Sequence, residues 1–204
     1  MSESPEAAVL LPVKAFHEAK LRLAPPLARP ARERLARAMA ATVIQAARGL
    51  TTFVVCDDRR VADWATDLGA EVLWRPGRGL NGAVTEGVEA IGTRGFTRVV
   101  VSHADLPHAT DLTWLGAEPG VTLVPDRRDD GTNVISLPTG RGFAFAYGPG
   151  SFARHVAAAE SLGVEVRVVR DERLCWDVDV PDDLEVPAWA VTGPGTDASS
   201  GGVP

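Results

Sequence analysis

The two lysines of this 204-residue chain, Lys14 and Lys20, lie within one short segment, and every other Lys-or-Arg position is an arginine. Such an Ala-, Arg- and Gly-rich composition is typical of a GC-rich genome that drifts from Lys to Arg wherever either serves. Lysine carries a compact, flexible ammonium, whereas arginine carries a planar fork. Two retained lysines therefore favour a chemical role, although two cations can also fall close together by chance. With Arg22 they form a cluster of three cations that suits a triphosphate.

Three carboxylates could complement these cations. Asp105 lies three residues after a predicted strand rich in β-branched residues at 97–102, where an aspartate is well placed to hold Mg²⁺ or simply to make a turn. Asp177 and Asp179 alternate by two in an extended segment, so both should point to the same face. Like charges on one face repel unless a cation or a hydrogen-bond network compensates. The three aspartates together predict a Mg²⁺ site.

Glycine-rich turns provide further candidate ligands. The segment Gly148-Pro-Gly-Ser151 precedes a predicted helix, where it could expose free N–H groups to an anion or simply present Ser151 as an N-cap. Thr132, after a flexible Asp-Gly, could add a hydroxyl donor. Asn81 opens another predicted helix and could contact a nucleotide or merely cap the helix. Asp182 and Asp183 are predicted to cap a helix that begins near Pro181.

Several function classes are excluded or disfavoured by composition. The net charge of −6 argues against a nucleic-acid binder, which needs a basic face. Cys56 and Cys175 lack metal-type spacing and are expected to be reduced thiols. No apolar stretch is long enough to span a membrane and no secretion signal is seen, so a cytoplasmic location is expected. The four histidines show no metal-ligand spacing. Neither a Walker A loop nor a G-x-G-x-x-G fingerprint is present.

The elements that must position these residues are short apolar strands that alternate with amphipathic helices. Strands are predicted at Ala8–Val13, Thr52–Val55, Glu71–Leu73, Thr97–Ser102, Val121–Val124, Asn133–Leu137, Val164–Val169 and Cys175–Val178. Helices are predicted at Pro30–Gly49, Arg59–Leu68, Asn81–Ile91 and Phe152–Leu162. This order predicts an α/β fold, a doubly wound and mostly parallel sheet with helices on both faces. Ligands then bind beyond the carboxyl ends of the strands. One domain is expected over 8–186, with a flexible N-terminus at 1–7 and a disordered tail at 187–204.

Taken together, the motifs resemble a known family. They are Pro12-Val-Lys14, Ala19-Lys20-Leu-Arg22-Leu23, Gly79-Leu80-Asn81, Ala104-Asp105-Leu-Pro107, Pro125-Asp-Arg127 with Asp130-Gly-Thr132-Asn133, Tyr147-Gly148-Pro-Gly-Ser151-Phe152 and Asp177-Val-Asp179. In order and spacing they are similar to the 2-phospho-L-lactate and phosphoenolpyruvate guanylyltransferases of coenzyme F-420 biosynthesis, over about residues 8–186. The resemblance implies a single-domain, Rossmann-like fold of the glycosyltransferase-A type.

The resemblance also implies roles for the candidate residues. It places a phosphorylated carboxylic acid at Thr132, Gly148 and Ser151, and the metal, Mg²⁺, at Asp105, Asp177 and Asp179. It assigns GTP to Lys14, Lys20 and Arg22, which are also the expected catalytic cations, and to Asn81.

The implied reaction is transfer of GMP from GTP to phosphoenolpyruvate, with release of pyrophosphate. Alternative acids are 2-phospho-L-lactate and 3-phosphoglycerate; the GC-rich composition favours phosphoenolpyruvate, by association with family members that use it. A molybdopterin or sugar-phosphate nucleotidyltransferase is a second alternative, which the absence of glycine in the 13–16 loop disfavours. A non-catalytic nucleotide-binding module is a third. The expected partners are the two substrates, with neither nucleic acid nor membrane, and the unstable product could be handed to the next pathway enzyme.

Overall fold

The structure is a computed structural model that describes residues 7–24, 26–185, 187 and 190. Ala7 already belongs to the first strand, and the rest of the segment expected to be flexible, 1–6, lies outside the described residues. The same holds for nearly all of the expected tail at 187–204.

One sheet of seven strands organises the described residues. The strands are β1 (Ala7–Pro12), β2 (Thr51–Cys56), β3 (Glu71–Trp74), β4 (Arg98–Ser102), β5 (Val121–Pro125), β6 (Thr132–Pro138) and β7 (Val166–Val168). Their order is β3-β2-β1-β4-β6-β5-β7. All pairings are parallel except those of β6, which runs antiparallel to both β4 and β5. The predicted mixed, mostly parallel sheet is confirmed.

Helices cover both faces of the sheet, as predicted. They are α1 (Arg29–Ala46), α2 (Arg59–Asp67), α3 (Gly79–Thr93) and α4 (Ser151–Ser161). Apolar residues of α1 and α2 pack on one face with Val9 and Val54, whereas those of α3 and α4 pack on the other with Leu10 and Phe53. Alternate residues of one strand thus enter opposite cores, as the strand period requires. Gly87 lets α3 lie close to β1, because a Cβ there would be 2.8 Å from Leu10.

The antiparallel strand explains how distant residues meet at one rim. β4 ends at Ser102, which pairs with Val134 near the start of β6, and the main-chain N–H of His103 donates to Asn133 O at 2.9 Å. Thr132 therefore lies at the edge of the sheet where the parallel strands end. In addition, β1 and β4 are neighbours, and the sequence order reverses between them, which is where open α/β sheets bind ligands.

One strand prediction is wrong. Cys175–Val178 is extended but joins no ladder, although the Val178 N–H donates to Asp105 O at 3.3 Å. The predicted helix near Pro181 is a short 3-10 turn, Pro181–Leu184. Both cysteines are buried free thiols, as expected. Among the described residues, no helix is long and apolar enough to cross a bilayer.

Candidate active site

The segment between β1 and α1 is fixed by two apolar anchors that hold Lys20 between them. Phe16 is buried and its ring meets Trp64 edge-on at 5.0 Å. Leu23 is fully buried with Met39 and Val178, so this segment packs directly against the Asp177–Asp179 segment. Lys20 itself has left-handed backbone geometry, with φ of 56°, which is uncommon outside glycine. The strain indicates that its position is imposed by the surrounding packing.

Lys20 forms the centre of the predicted carboxylate site. Its Nζ donates to Asp105 Oδ2 at 2.5 Å and to Asp179 Oδ1 at 2.9 Å. Burial would lower the pKa of Lys20, but the two carboxylates outweigh it and raise that pKa. Burial would likewise raise the pKa of Asp105, but the charges of Lys20 and His103 hold it below its usual value. The ammonium is therefore firmly charged and held by both acids.

Asp177 lies in the same cluster without a cation of its own. Burial, and then the charges of Asp105 and Asp179, raise its pKa to about 7. Its Oδ1 is buried and has no hydrogen-bond partner among the described residues. The structure thus brings together the three aspartates that the sequence singled out, even though the strand predicted at Cys175–Val178, which includes Asp177, does not form.

The site also concentrates buried polar atoms that lack partners within the described part of the chain. Besides Asp177 Oδ1, they are Asp105 Oδ1, His103 Nε2 and Tyr147 Oη. The His103 and Tyr147 rings lie 5.1 Å apart, and His103 Nδ1 is 3.9 Å from Asp105 Oδ1. Most buried polar groups in proteins are hydrogen-bonded, so such a cluster indicates that a ligand completes it.

The aspartates fit a divalent cation in donor type but not in their present spacing. Hard cations such as Mg²⁺ prefer carboxylate oxygens, and two of the three aspartates have an unpartnered buried oxygen. However, within the described residues no three His, Cys, Asp or Glu side chains are grouped closely enough to hold a metal ion as they stand. The Lys20 ammonium lies between Asp105 and Asp179 instead. A cation held by these aspartates would therefore compete with this ammonium for the same carboxylate oxygens.

Asp183 holds the carboxylate segment in place, a role beyond the predicted helix cap. Its buried side chain accepts from the main-chain N–H groups of Asp179 at 2.8 Å and Val180 at 2.9 Å. It also pairs with Arg127 and with Arg128, the latter at 2.7 Å. Although burial opposes it, these contacts lower its pKa to about 2. The Pro-Asp-Asp pattern in the sequence indicated the helix cap. The pairing of Asp183 with two arginines more than fifty residues away could not be predicted, because it leaves no local pattern.

The remaining predicted cations are exposed near the rim. Lys14 lies two residues after the end of β1, Arg22 lies in the 3-10 turn after Lys20, and neither forms an ion pair with any described residue. Both side chains are therefore available to an anionic ligand. Asn81, by contrast, uses its amide internally: Oδ1 accepts from Tyr147 N–H at 2.7 Å and Nδ2 donates to Tyr147 O at 3.4 Å. It fixes the segment that leads into Gly148.

The predicted free donors at the start of α4 are occupied, so that part of the prediction is wrong. Gly150 N–H donates to Asp130 Oδ1 at 3.0 Å, Phe152 N–H to Asp130 O at 3.0 Å, and Ser151 N–H to Gly148 O at 2.9 Å. An aspartate carboxylate thus already satisfies the positive end of this helix. Gly148 does need to be glycine, since its φ is 124°.

Thr132 is placed at the rim, but its hydroxyl is turned away from solvent. The residue is 1% exposed and its Oγ1 lies 2.9 Å from Nδ1 of the buried His155. This contact leaves the hydroxyl able to form a further hydrogen bond, so the expectation that Thr132 contacts a ligand stays a prediction. His155 was not recognised from the sequence, because a single histidine on a helix carries no pattern.

Comparisons with known proteins show the family of this chain. The family model described as "Guanylyl transferase CofC like" matches residues 7–198. The chain belongs to this family. It is 37% identical over 185 residues to a phosphoenolpyruvate guanylyltransferase of Sphaerobacter thermophilus, which covers 86% of this chain and 89% of that protein. A phosphoenolpyruvate guanylyltransferase of Roseiflexus castenholzii is 35% identical, over 93% of this chain and 90% of its own.

Solved structures extend the likeness of fold. A protein described as a nucleotide-diphospho-sugar transferase, from Desulfovibrio desulfuricans G20, superposes with a TM-score of 0.70 at 18% identity, over 86% of this chain and 83% of the other. A 4-diphosphocytidyl-2C-methyl-D-erythritol synthase from Anaerococcus prevotii superposes with a TM-score of 0.55 at 11% identity, over 87% of this chain and 94% of the other. The chain therefore has the nucleotide-diphospho-sugar transferase fold.

Proposed function

We propose that this chain catalyses transfer of GMP from GTP to phosphoenolpyruvate in coenzyme F-420 biosynthesis. The observation that carries the proposal is the contact of Lys20 with Asp105 and Asp179, which are electrostatically coupled to Asp177, at the rim of the sheet in a chain of the guanylyl transferase family. Relatives of similar length named phosphoenolpyruvate guanylyltransferase support the choice of both substrates.

The reaction needs alignment of two anions more than it needs a proton acceptor. A phosphate oxygen of the acid attacks the α-phosphorus of GTP, the bond from that phosphorus to the bridging β-oxygen breaks, and pyrophosphate leaves. The products are enolpyruvyl-diphospho-guanosine and pyrophosphate. Because the attacking oxygen is already anionic, no general base is required. The protein must hold the reactants in line and neutralise the charge that develops on the leaving group.

The carboxylates and the cations divide this work. Asp105, Asp177 and Asp179 would hold Mg²⁺, which when bound supplies positive charge to the phosphate oxygens. Lys20 must then leave Asp105 and Asp179, and a freed ammonium beside exposed Lys14 and Arg22 would contact the triphosphate. Lysine suits this exchange, since its ammonium is compact and lies on a flexible stem.

The acid is assigned to the wall of the rim formed by the start of β6 and the segment before α4. Thr132, Gly148 and Ser151 remain the proposed contacts, but through main chain and shape rather than through the free helix donors expected from the sequence. Gly148, with its positive φ, gives close backbone approach. The unpartnered Tyr147 hydroxyl and His103 Nε2 lie between this wall and Asp105 and could complete the contacts to the acid.

The proposal is tested by pyrophosphate release. GTP, ATP and CTP are each mixed with phosphoenolpyruvate, 2-phospho-L-lactate, 3-phosphoglycerate and a sugar 1-phosphate, with Mg²⁺ and with EDTA. We expect release with GTP and phosphoenolpyruvate that EDTA abolishes. Release with another acid alone would move the substrate to that acid. Release with the sugar phosphate alone would refute the proposed reaction.

The setting of the reaction is part of the proposal. Because GTP is a cytoplasmic metabolite, we place the reaction in the cytoplasm. The enolpyruvyl product retains a reactive diphosphate ester, so direct hand-over to the enzyme that consumes it is expected. Slower loss of product in the presence of that enzyme than in its absence would support the hand-over.

A further inference from the structure

A fully buried histidine lies behind the wall assigned to the acid. His155, in α4, is 0% exposed and is surrounded by the rings of Phe143, Phe145 and Tyr147, with centroids 5.8, 6.5 and 4.8 Å away. Burial, with the charges of Arg154 and His103, lowers its pKa to about 4. The ring is therefore neutral at ordinary pH. A neutral polar ring in apolar surroundings is costly unless both nitrogens are satisfied.

Both ring nitrogens of His155 are satisfied, and their roles follow from one fixed donor. The main-chain N–H of Ala146 donates to Nε2 at 2.9 Å, so Nε2 carries no proton. The proton of the neutral ring is then on Nδ1, which donates to Thr132 Oγ1 at 2.9 Å. One side chain thus joins the first residue of β6 to the segment that leads into Gly148.

We propose that His155 is a positioning residue for the phosphorylated acid, because it sets the spacing between Thr132 and the Ala146–Gly148 segment. The inference rests on the proposed function in that it takes these two segments as the walls of the acid site. Asn81 fixes the same segment from the other side by its two contacts with the Tyr147 main chain. The main chain around Gly148 is therefore held from both sides, and its position is determined by directional bonds rather than by apolar packing alone.

A purely structural histidine would behave differently from a positioning one. Loss of a structural contact destabilises the whole domain and affects both substrates or neither. Loss of the Thr132–Ala146 spacing should weaken binding of the acid selectively, because the two contacts of His155 reach Thr132 and Ala146, and Lys20, which is assigned to GTP, is held instead by Asp105 and Asp179.

Two substitutions each keep one of the two contacts. His155→Asn places an amide near the position of Nδ1 and can still reach Thr132, whereas His155→Gln places one near Nε2 and can still reach Ala146. Ser136→Ala is the matched control: Ser136 Oγ makes a buried bond to Leu115 O at 2.6 Å on the same strand as Thr132, away from the rim. Thr132→Val removes the hydroxyl while keeping the shape of the side chain.

Dissociation constants for phosphoenolpyruvate and for GTP are measured by calorimetry, together with Tm and Michaelis constants. We expect both His155 variants to raise the dissociation constant for phosphoenolpyruvate about tenfold and that for GTP less than about twofold, as for loss of one hydrogen bond at one subsite. Ser136→Ala should lower Tm without changing either constant. His155→Gln should have little further effect on acid binding when combined with Thr132→Val, because the contact it breaks is then already absent.

Equal weakening of both substrates, or an unchanged constant for phosphoenolpyruvate, would overturn the positioning role. Thr132→Val keeps the test decisive if both His155 variants fail to fold, since it alone should weaken the acid. Wild-type protein that binds the acid but releases no pyrophosphate would refute the proposed reaction and leave the binding test of His155 valid. Failure of wild-type protein to bind any phosphorylated acid would overturn both.

Discussion

Competition between Lys20 and a divalent cation gives the sharpest prediction of this structure. Lys20→Met should tighten the binding of Mn²⁺, used as a spectroscopic substitute for Mg²⁺, to protein without nucleotide. In the wild-type chain the ammonium contacts Asp105 at 2.5 Å and Asp179 at 2.9 Å, so a cation must displace it. Methionine keeps the length and apolar character of the stem but removes the charge. The same substitution should weaken the binding of GTP, because the displaced Lys20 ammonium is assigned to the triphosphate.

The magnitude follows from the two contacts. A hydrogen bond to a charged group contributes about 1.5–3 kcal/mol. The Asp179 carboxylate is 47% exposed, so its pair with Lys20 is screened by solvent and adds little. The Asp105 contact, at 20% exposure, dominates, and part of its energy is recovered when the displaced ammonium is hydrated. A remainder of about 1.4 kcal/mol corresponds to a tenfold gain in Mn²⁺ affinity.

The assay is a titration of free Mn²⁺ by electron paramagnetic resonance, in the absence and presence of GTP. Lys14→Met is the matched control, since it removes the same charge from an exposed residue that forms no ion pair with any described residue. We expect Mn²⁺ to bind Lys20→Met about tenfold more tightly than wild type, with Lys14→Met within about twofold. Equal or weaker binding by Lys20→Met would refute the competition between lysine and metal.

Three further predictions concern the same rim. Asp177→Asn should abolish turnover, yet in EDTA it should raise Tm more at about pH 8 than at about pH 5. The pKa of Asp177 in the folded protein, about 7, exceeds the ordinary 3.8, so the free energy of unfolding of the wild-type protein falls as the pH rises from about 3.8 to about 7. The total loss is at most roughly 4 kcal/mol. An equal Tm difference at both pH values would contradict this. Gly148→Ala should raise the Michaelis constant for the acid and leave that for GTP unchanged, because a φ of 124° is strained for any residue with a side chain. An unchanged Michaelis constant for the acid would show that this turn does not contact the acid. Asp183→Asn should lower Tm by roughly 10 °C, because a buried carboxylate that pairs with two arginines is lost. An unchanged Tm would show that Asp183 does not hold the carboxylate segment in place.

Local sequence patterns were sufficient for most of the fold. Apolar runs and helix periods located the seven strands and four helices to within a few residues, because burial on one face or both leaves a repeating signal. The segment at Cys175–Val178 failed because its apolar alternation reflects packing of Val178 against Leu23, not strand pairing. The direction of β6 had no local signal either, since only its partners determine it.

The candidate site was predictable where chemistry depends on residue type. Asp177 and Asp179 stood out because carboxylates predicted to share a face need a cation or a hydrogen-bond network, and Asp105 stood out because it lies just after a buried strand. The contacts of His155 and Asp183 could not be foreseen, because each joins segments more than twenty residues apart. The helix start at Ser151 shows the converse: its glycines suggested free donors, and only the structure reveals that these N–H groups donate to Asp130 and to Gly148 O.

The charge of the rim implies an order in which the substrates meet. Lys20 contacts two of the three aspartates there, and burial, together with the charges of Asp105 and Asp179, raises the pKa of Asp177 to about 7. Neither a triphosphate nor a phosphorylated acid would enter such a site unaided, because like charges repel strongly where water is partly excluded. A divalent cation that bound with GTP would change the balance in two ways. The aspartates would hold it and so lose their excess charge, and Lys20, freed from Asp105, would face the triphosphate. The acid would then meet a rim of more favourable charge, beside a wall that His155 and Asn81 hold in place.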